Sequence, residues 1–362
     1  MFRKIFCAGA GFALGAVALL AATKPVIKIG LILPLTGSMG SAGETFRDAA
    51  RLAASEIPST SRYRYELIFE DDALNSRKAA TAANKLLFVD KVNVLISTWS
   101  YGGMVAAPLA ERAKVPHFAL AWDINILKHP TSFLFISPPG TFLPIFFEAF
   151  KKKGWKKIWV VGVKESGSVY CMDECVRTSK DHGITVVGRE MFNYGEGGQT
   201  DFRTFLAKAN AMQFDAWFVN MATPQIELFL KQKAEMGDKH PITSITGFDT
   251  TEDLKAIEGM WYVTDSYVER GFAEKFEKQY GSKKLYGVTN YYDLIRLIAH
   301  VGEAFERVPT TAEWMKGFMK GEGFTLSQGP VEFLPNRIIA YPSKLMMIRN
   351  GKRVPITMDQ LP

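Results

Sequence analysis

The chain has 362 residues, 47% of them apolar and 22% charged, with a formal net charge of +7. That length suits two domains of ordinary size, and the composition excludes a disordered, collagen-like or coiled-coil chain. Three cysteines exclude a disulfide scaffold, and one long apolar run excludes a polytopic membrane protein.

That run comes first. Arg3 and Lys4 precede an uncharged stretch from Ile5 to Ala22 that closes on Leu20-Ala21-Ala22. A basic start, a short apolar core and a small-residue end predict a secretory signal over residues 1–22. Cys7 lies inside the apolar core, badly placed for a lipoprotein cysteine. The rest of the chain is therefore expected to be exported to the periplasm.

A strand is predicted over Val26–Leu33, then a turn at Thr36-Gly37-Ser38. A helix follows with Phe46, Ala50, Ala53 and Ile57 on one face, stopped by Pro58. Next come a strand at Tyr65–Phe69, a helix at about Ser76–Phe88, a strand at Val92–Ile96, a helix at about Met104–Ala113 and a strand at His117–Leu120. The pattern breaks at Ser137-Pro138-Pro139-Gly140 and restarts. Helices are expected at Phe142–Lys152, Val169–His182 and Phe202–Met212, and strands at Ile158–Val163, Thr185–Val187 and Ala216–Val219. Pro224 opens a helix, as proline does in a first turn. A strand at Ile242–Thr246 and a short helix at Glu252–Ile257 end the second block. Alternating strands and helices predict parallel sheets covered on both faces, in two similar α/β lobes.

The remainder is too small for a third sheet. Helices are expected at Phe272–Tyr280, Tyr291–Phe305 and Ala312–Lys320, then strands from Pro330 to Pro355 joined through Asn350-Gly351, a hairpin signal. Such a tail must pack on an existing lobe, so the chain crosses between lobes more than once.

Catalytic motifs are missing. There is no phosphate-binding G-x-x-x-x-G-K-[ST] loop, no G-x-S-x-G elbow and no H-E-x-x-H pair. Gly37, Gly40 and Gly43 follow a strand but lack the G-x-G-x-x-G spacing. The five histidines are isolated. Cys171 and Cys175 have no third ligand nearby, which argues against zinc; a disulfide and two free thiols are both open. Lysines and arginines are spread along the chain, with small groups at Lys151–Lys153 and Lys156-Lys157 by a predicted helix end, so no nucleic-acid footprint is expected. The protein is not expected to be an enzyme.

Three segments carry a family resemblance: Ile29-Gly-Leu-Ile-Leu-Pro-Leu-Thr-Gly37; Glu70-Asp-Asp-Ala73 with Ala79 and Ala82-Ala-Asn-Lys-Leu86; and Ser97-Thr-Trp-Ser-Tyr-Gly-Gly103. In their order and spacing the chain resembles the periplasmic leucine/isoleucine/valine-binding proteins of ABC transporters, over essentially all its length after the signal. The resemblance implies the type I periplasmic binding protein fold, a three-strand hinge and a ligand clamped in the cleft. It implies no cofactor, a monomer, and an inner-membrane ABC permease as partner. By position, the hinge crossings are expected near 137–140, 263–266 and 327–330. One lobe would span 25–138 plus 266–327, the other 139–265 plus 328–362.

Ligands of open α/β sheets bind beyond the carboxyl ends of strands. From those ends the candidate ligand-binding residues are Trp99, Ser100, Tyr101, Gly102, Ala121, Trp122, Asp123, Ser166, Ala222 and Asp249. In the resembled family the turn matching 100–102 grips a carboxylate, and free N–H groups at a helix start suit that role. A buried ammonium needs an acceptor. Asp249 falls where the family's acidic residue meets the ammonium, and Asp123 where the family has a small hydroxyl residue; both also read as turn or cap residues. Trp99, Tyr101 and Trp122 depart from the family pattern, and Ala42 and Ala222 stand where it has cleft tyrosines. The relocated aromatic surface suits an aromatic or compact side chain. The resemblance therefore predicts capture of a branched-chain or aromatic amino acid. The alternatives are an aromatic carboxylate, an amide or a urea-like solute on the same fold, and less directly a receptor-linked sensor or an exported hydrolase.

Overall fold

The computed structural model describes residues 24–194, 197–251, 253–265, 267–281, 286–327, 329 and 331–362, so the expected signal lies outside the described residues. In chain order the first block is β1 (Val26–Leu33), α1 (Gly40–Ser55), β2 (Arg64–Asp71), α2 (Ser76–Asn84), β3 (Val94–Thr98), α3 (Trp99–Ala113), β4 (His117–Leu120) and β5 (Ser132–Leu134). The second is α4 (Pro139–Lys153), β6 (Lys157–Val163), α5 (Ser166–Ser179), β7 (Thr185–Phe192), α6 (Arg203–Asn210), β8 (Ala216–Asn220), α7 (Gln225–Glu235), β9 (Ile242–Ile245), α8 (Gly247–Thr250) and β10 (Trp261–Thr264). Helices α9 (Arg270–Tyr280), α10 (Val288–Glu303) and α11 (Thr311–Lys320) follow, then β11 (Glu332–Leu334), β12 (Ile338–Ala340), β13 (Lys344–Arg349) and β14 (Lys352–Pro355).

Two seven-stranded sheets result. The first has the order β11-β12-β5-β4-β3-β1-β2 and the second β14-β13-β10-β9-β8-β6-β7. Within each, the five block strands are parallel and in the same relative order. Central strands are buried along their length, as in β3 and β8, which is why they read as unbroken apolar runs. One core lies between the first sheet and α1 and α10, where Phe46 stacks on Tyr291 at 4.5 Å. The second lobe has an aromatic core on each face, around Phe146, Phe218 and Trp261 on one and Trp159, Trp217 and Phe229 on the other. Cys171 and Cys175 are free thiols buried in the former.

The chain passes between the sheets after β5, after β10 and after β12. The third passage departs from expectation. Sequence position puts it at 327–330 and assigns 328–362 to the second lobe, yet β11 and β12 join the first sheet. Ile338 pairs with Leu134 of β5, and Ile338 and Ala340 pack with Ala119 and Leu134. The switch therefore falls between Ala340 and Lys344, and only β13 and β14 add to the second sheet. Their turn holds Asn350 and Gly351 at φ 53° and 64°, the left-handed pair that an Asn-Gly hairpin requires. Helix α3 begins five residues earlier than its apolar spacing indicates, and β7 runs on to Phe192. Past α8, residues 254–259 form turns rather than the expected helix.

His117 in β4 is fully buried between Ser97 Oγ, 2.8 Å from its Nε2, and Ser132 Oγ, 2.9 Å from its Nδ1. Burial pushes its pKa down from 6.5 to about 3, and His129 adds a smaller push the same way. The folded protein keeps this ring neutral while the unfolded chain protonates it near pH 6.5. Stability from this residue is therefore complete above pH 6.5 and is lost as pH falls towards 3, by up to about 1.4 kcal/mol per pH unit. Denaturant unfolding at pH 7 and pH 5 checks this. His117→Gln should remove about 2 kcal/mol of the difference between the two pH values; an unchanged difference would contradict the assignment.

Candidate functional site

The carboxyl ends of the two sheets face one another across a cleft of about 780 Å³, counted out to its mouth. That is ample for a small organic ligand. The first lobe supplies Met39, Leu74, Trp99, Ser100, Trp122 and Tyr286 among others; the second supplies Val163, Glu165, Tyr194, Asn220, Met221 and Thr246. The wall is largely apolar and aromatic, and among the described residues no lysine, arginine or histidine lines it.

Many of the lining side chains are placed by the start of a helix or the end of a strand. Thr98 ends β3 and caps α3, so Trp99, Ser100 and Tyr101 form the first turn of that helix. Trp99 has φ 54°, and across the cleft Thr246 has φ 50°. These left-handed positions are costly for non-glycine residues and concentrate at functional sites. The hydroxyl of Tyr286 meets the side chains of both Trp99 and Thr246, so three cleft residues from two lobes share one contact.

Ser100 Oγ accepts the backbone N–H groups of Trp122 at 3.2 Å and Asp123 at 3.3 Å. Its own hydroxyl proton remains to be donated. The indole Nε1–H of Trp122 is buried with no protein partner, as is the side-chain nitrogen of Asn220. Buried polar groups are normally hydrogen-bonded; the core indoles of Trp159 and Trp314 are unpaired in the same way.

Glu165 is the one acidic residue lining the cleft among the described residues. It caps α5 through Oε2, which accepts from Gly167 N at 2.8 Å and Ser168 N at 3.2 Å. Its Oε1 accepts from Ser166 Oγ at 3.0 Å and from Tyr101 N, on the opposite lobe, at 3.2 Å. A carboxylate offers about four acceptor positions, and all are filled by the chain itself. Burial pushes this carboxyl up from the usual range, while these donors draw it back.

Of the ten residues marked in the sequence, Trp99, Ser100, Ala121, Trp122 and Ala222 line the cleft. The other five lie behind it. Tyr101 points its hydroxyl to buried Asp72, beside which Gly102 packs. Asp123 caps the following turn, accepting from Asn125 N at 2.9 Å and Asn125 Nδ2 at 2.8 Å. Ser166 gives its hydroxyl to Glu165. Asp249 accepts from the Tyr262 hydroxyl at 2.7 Å, and burial raises its pKa from 3.8 to about 6. Sequence reasoning missed Met39, Leu74, Tyr194, Asn220 and Tyr286. Asn220 ends β8 and was open to discovery by the strand-end rule; Tyr194 and Tyr286 lie on connections that the rule does not reach.

A family model described as periplasmic binding protein matches residues 26–351. The Leu/Ile/Val-binding protein homolog 7 of Brucella suis biovar 1 (strain 1330) is 24% identical over 315 residues, covering 77% of this chain and 78% of that protein. Among solved structures, a leucine binding protein from Thermotoga maritima MSB8 superposes with a TM-score of 0.81 at 21% identity, covering 91% of this chain and 98% of its own. LivJ from Streptococcus pneumoniae, in complex with isoleucine, gives 0.79 at 20% identity, with 91% and 99% covered. An ABC-transporter solute binding protein from R. palustris, in complex with benzoate, gives 0.80 at 19% identity, with 91% and 95% covered. At these identities the structural likenesses concern the fold. No helix among the described residues is long and apolar enough to cross a membrane.

Proposed function

Because this chain belongs to the periplasmic binding protein family, a family of solute-binding proteins rather than enzymes, we propose that it captures a small apolar carboxylate, best an aromatic acid, by closing two lobes on it. The captured acid would be delivered in the periplasm to an ABC permease. The observation that carries this reading is the polarity of the unpaired groups. Among the residues lining the cleft, Trp122 and Asn220 carry buried side-chain nitrogens without a partner and Ser100 a hydroxyl proton not yet donated, while the four acceptor positions of Glu165, the one carboxylate lining it among the described residues, are already filled. A carboxylate finds donors there; an ammonium finds no unfilled carboxylate among the described residues that line the cleft, Asp249 with its unpaired Oδ2 lying outside that lining. The apolar wall of Trp99, Trp122, Tyr194 and Met221 would cover the ligand's body by area burial and ring stacking.

Asp249 and Asp123 become supporting residues in this reading, since their carboxylates serve Tyr262 and Asn125. Asp249→Asn should leave ligand affinity within about twofold, a change under ~0.5 kcal/mol; calorimetric titration checks it. A loss beyond tenfold would return Asp249 to the ligand.

A thermal-shift panel on refolded protein tests the function, because ligand at 100 times its Kd stabilises by about 2.7 kcal/mol. Benzoate and 3-phenylpropanoate are expected to raise Tm, and benzamide and leucine to leave it unchanged. A shift with leucine and none with the acids would overturn the assignment. The second reading, a branched-chain amino acid, has the names of the relatives in its favour and the presence of Glu165 on the wall. It would require the ammonium to displace Tyr101 N–H or the Ser166 hydroxyl from that carboxylate.

A further inference from the structure

Helices α3 and α5 meet start to start across the cleft. A Cβ added to Gly167 would lie 2.6 Å from Ser100 Oγ and 3.4 Å from Ser100 Cβ, so only glycine permits this approach. Tyr101 sits in the third position of α3, where a backbone N–H has no partner within its own helix. Its acceptor is Glu165 Oε1, from the other lobe. The same carboxylate is fixed in place by three donors of the first turn of α5.

We propose that Glu165 is an interlobe clasp: anchored as the cap of α5, it holds the Tyr101 N–H across the cleft and thereby sets how far the lobes close. Both ends of this bond belong to the chain, so it favours closure whether or not the cleft is filled. The bond joins a charged acceptor to an otherwise unpaired donor, the stronger kind of hydrogen bond. Two neutral contacts support it, Tyr194 with Met39 Sδ at 3.1 Å and Tyr286 with Thr246. A clasp of this kind raises the population of closed protein and slows both entry and escape, because a ligand passes only through the open form. The inference rests on the closure reading above but not on the ligand's identity.

Glu165→Gln separates the clasp from the cap. One amide oxygen can still take Gly167 N–H and Ser168 N–H, while the amide nitrogen cannot accept from Tyr101. With no solute added, the Tyr101 amide of the variant should exchange its hydrogen roughly tenfold faster, with Gly167 and Ser168 unchanged. Small-angle scattering should give a larger radius of gyration than wild type. If the Tyr101 amide keeps its wild-type exchange rate and the radius does not move, the clasp is wrong. Glu165→Ala, which loses cap and clasp, should show the same expansion together with faster exchange at Gly167. Because no solute is present, a failure here leaves the acid-capture reading to its own test.

Discussion

Trp122→Ala is expected to weaken capture of an aromatic acid by roughly 30- to 150-fold, about 2–3 kcal/mol. The indole contributes twice. Its face supplies apolar wall beside Ala121 and Ile136, and its buried N–H is an unpaired donor. Trp122→Phe divides the two contributions: the face remains and the donor goes. Losing a hydrogen bond to a charged group costs about 1.5–3 kcal/mol, so this variant alone should lose tenfold or more. Trp122 also meets Phe142 of α4 at 5.6 Å, so some loss of stability accompanies the alanine change. Titration calorimetry with 3-phenylpropanoate measures both variants. Equal affinities for Trp122→Phe and wild type would remove the indole N–H from the site.

Gly43→Ala should destabilise the first lobe by about 3 kcal/mol, at the upper end of overpacking costs. Helix α1 passes so close to the end of β1 that a Cβ at Gly43 would stand 2.1 Å from the Pro34 carbonyl oxygen and 2.5 Å from its carbon. Both are backbone atoms and cannot swing aside. The helix start would have to move, carrying Met39 on the cleft rim with it. Thermal unfolding should show a fall of roughly 2–4 °C per kcal/mol for a domain of this size. A Tm within a degree of wild type would show that the helix gives way freely.

That glycine illustrates what the sequence conveys and what it withholds. The run Gly37, Gly40, Gly43 after a strand has the look of a nucleotide loop without its spacing. The fold supplies another reason for one of the three, a close helix–strand approach. The α/β alternation itself was plain, because parallel strands buried on both faces, such as Val94–Thr98 and Ala216–Asn220, read as short apolar runs between helices. The third crossing was hidden. Strands β11 and β12 are three residues each, and nothing local tells which sheet edge Ile338 will pair with.

Site residues followed the same division. Trp99, Ser100 and Trp122 were found because strand ends place them. For Asp123 the turn-cap reading is the one the fold adopts; for Asp249 the partner is set by packing and is not legible in the sequence. Tyr262, which holds Asp249, lies on a neighbouring strand. The apolar spacing starts the helix after Glu165 at Val169, three residues late; the place of Glu165 as cap and cross-cleft acceptor comes from Ser166, Gly167 and Ser168 forming the first turn.

In the proposed reading the cleft presents donors to a carboxylate and, among its described lining residues, no unfilled carboxylate to an ammonium. Two ligands of one shape test it: 3-phenylpropanoate and phenylalanine, which differ only by the α-ammonium group. Calorimetric titration of refolded protein with each is predicted to give tighter binding of the acid by tenfold or more, about 1.4 kcal/mol. Tighter binding of phenylalanine would contradict the account, and would mean that Glu165 or Asp249 turns an oxygen to the ligand.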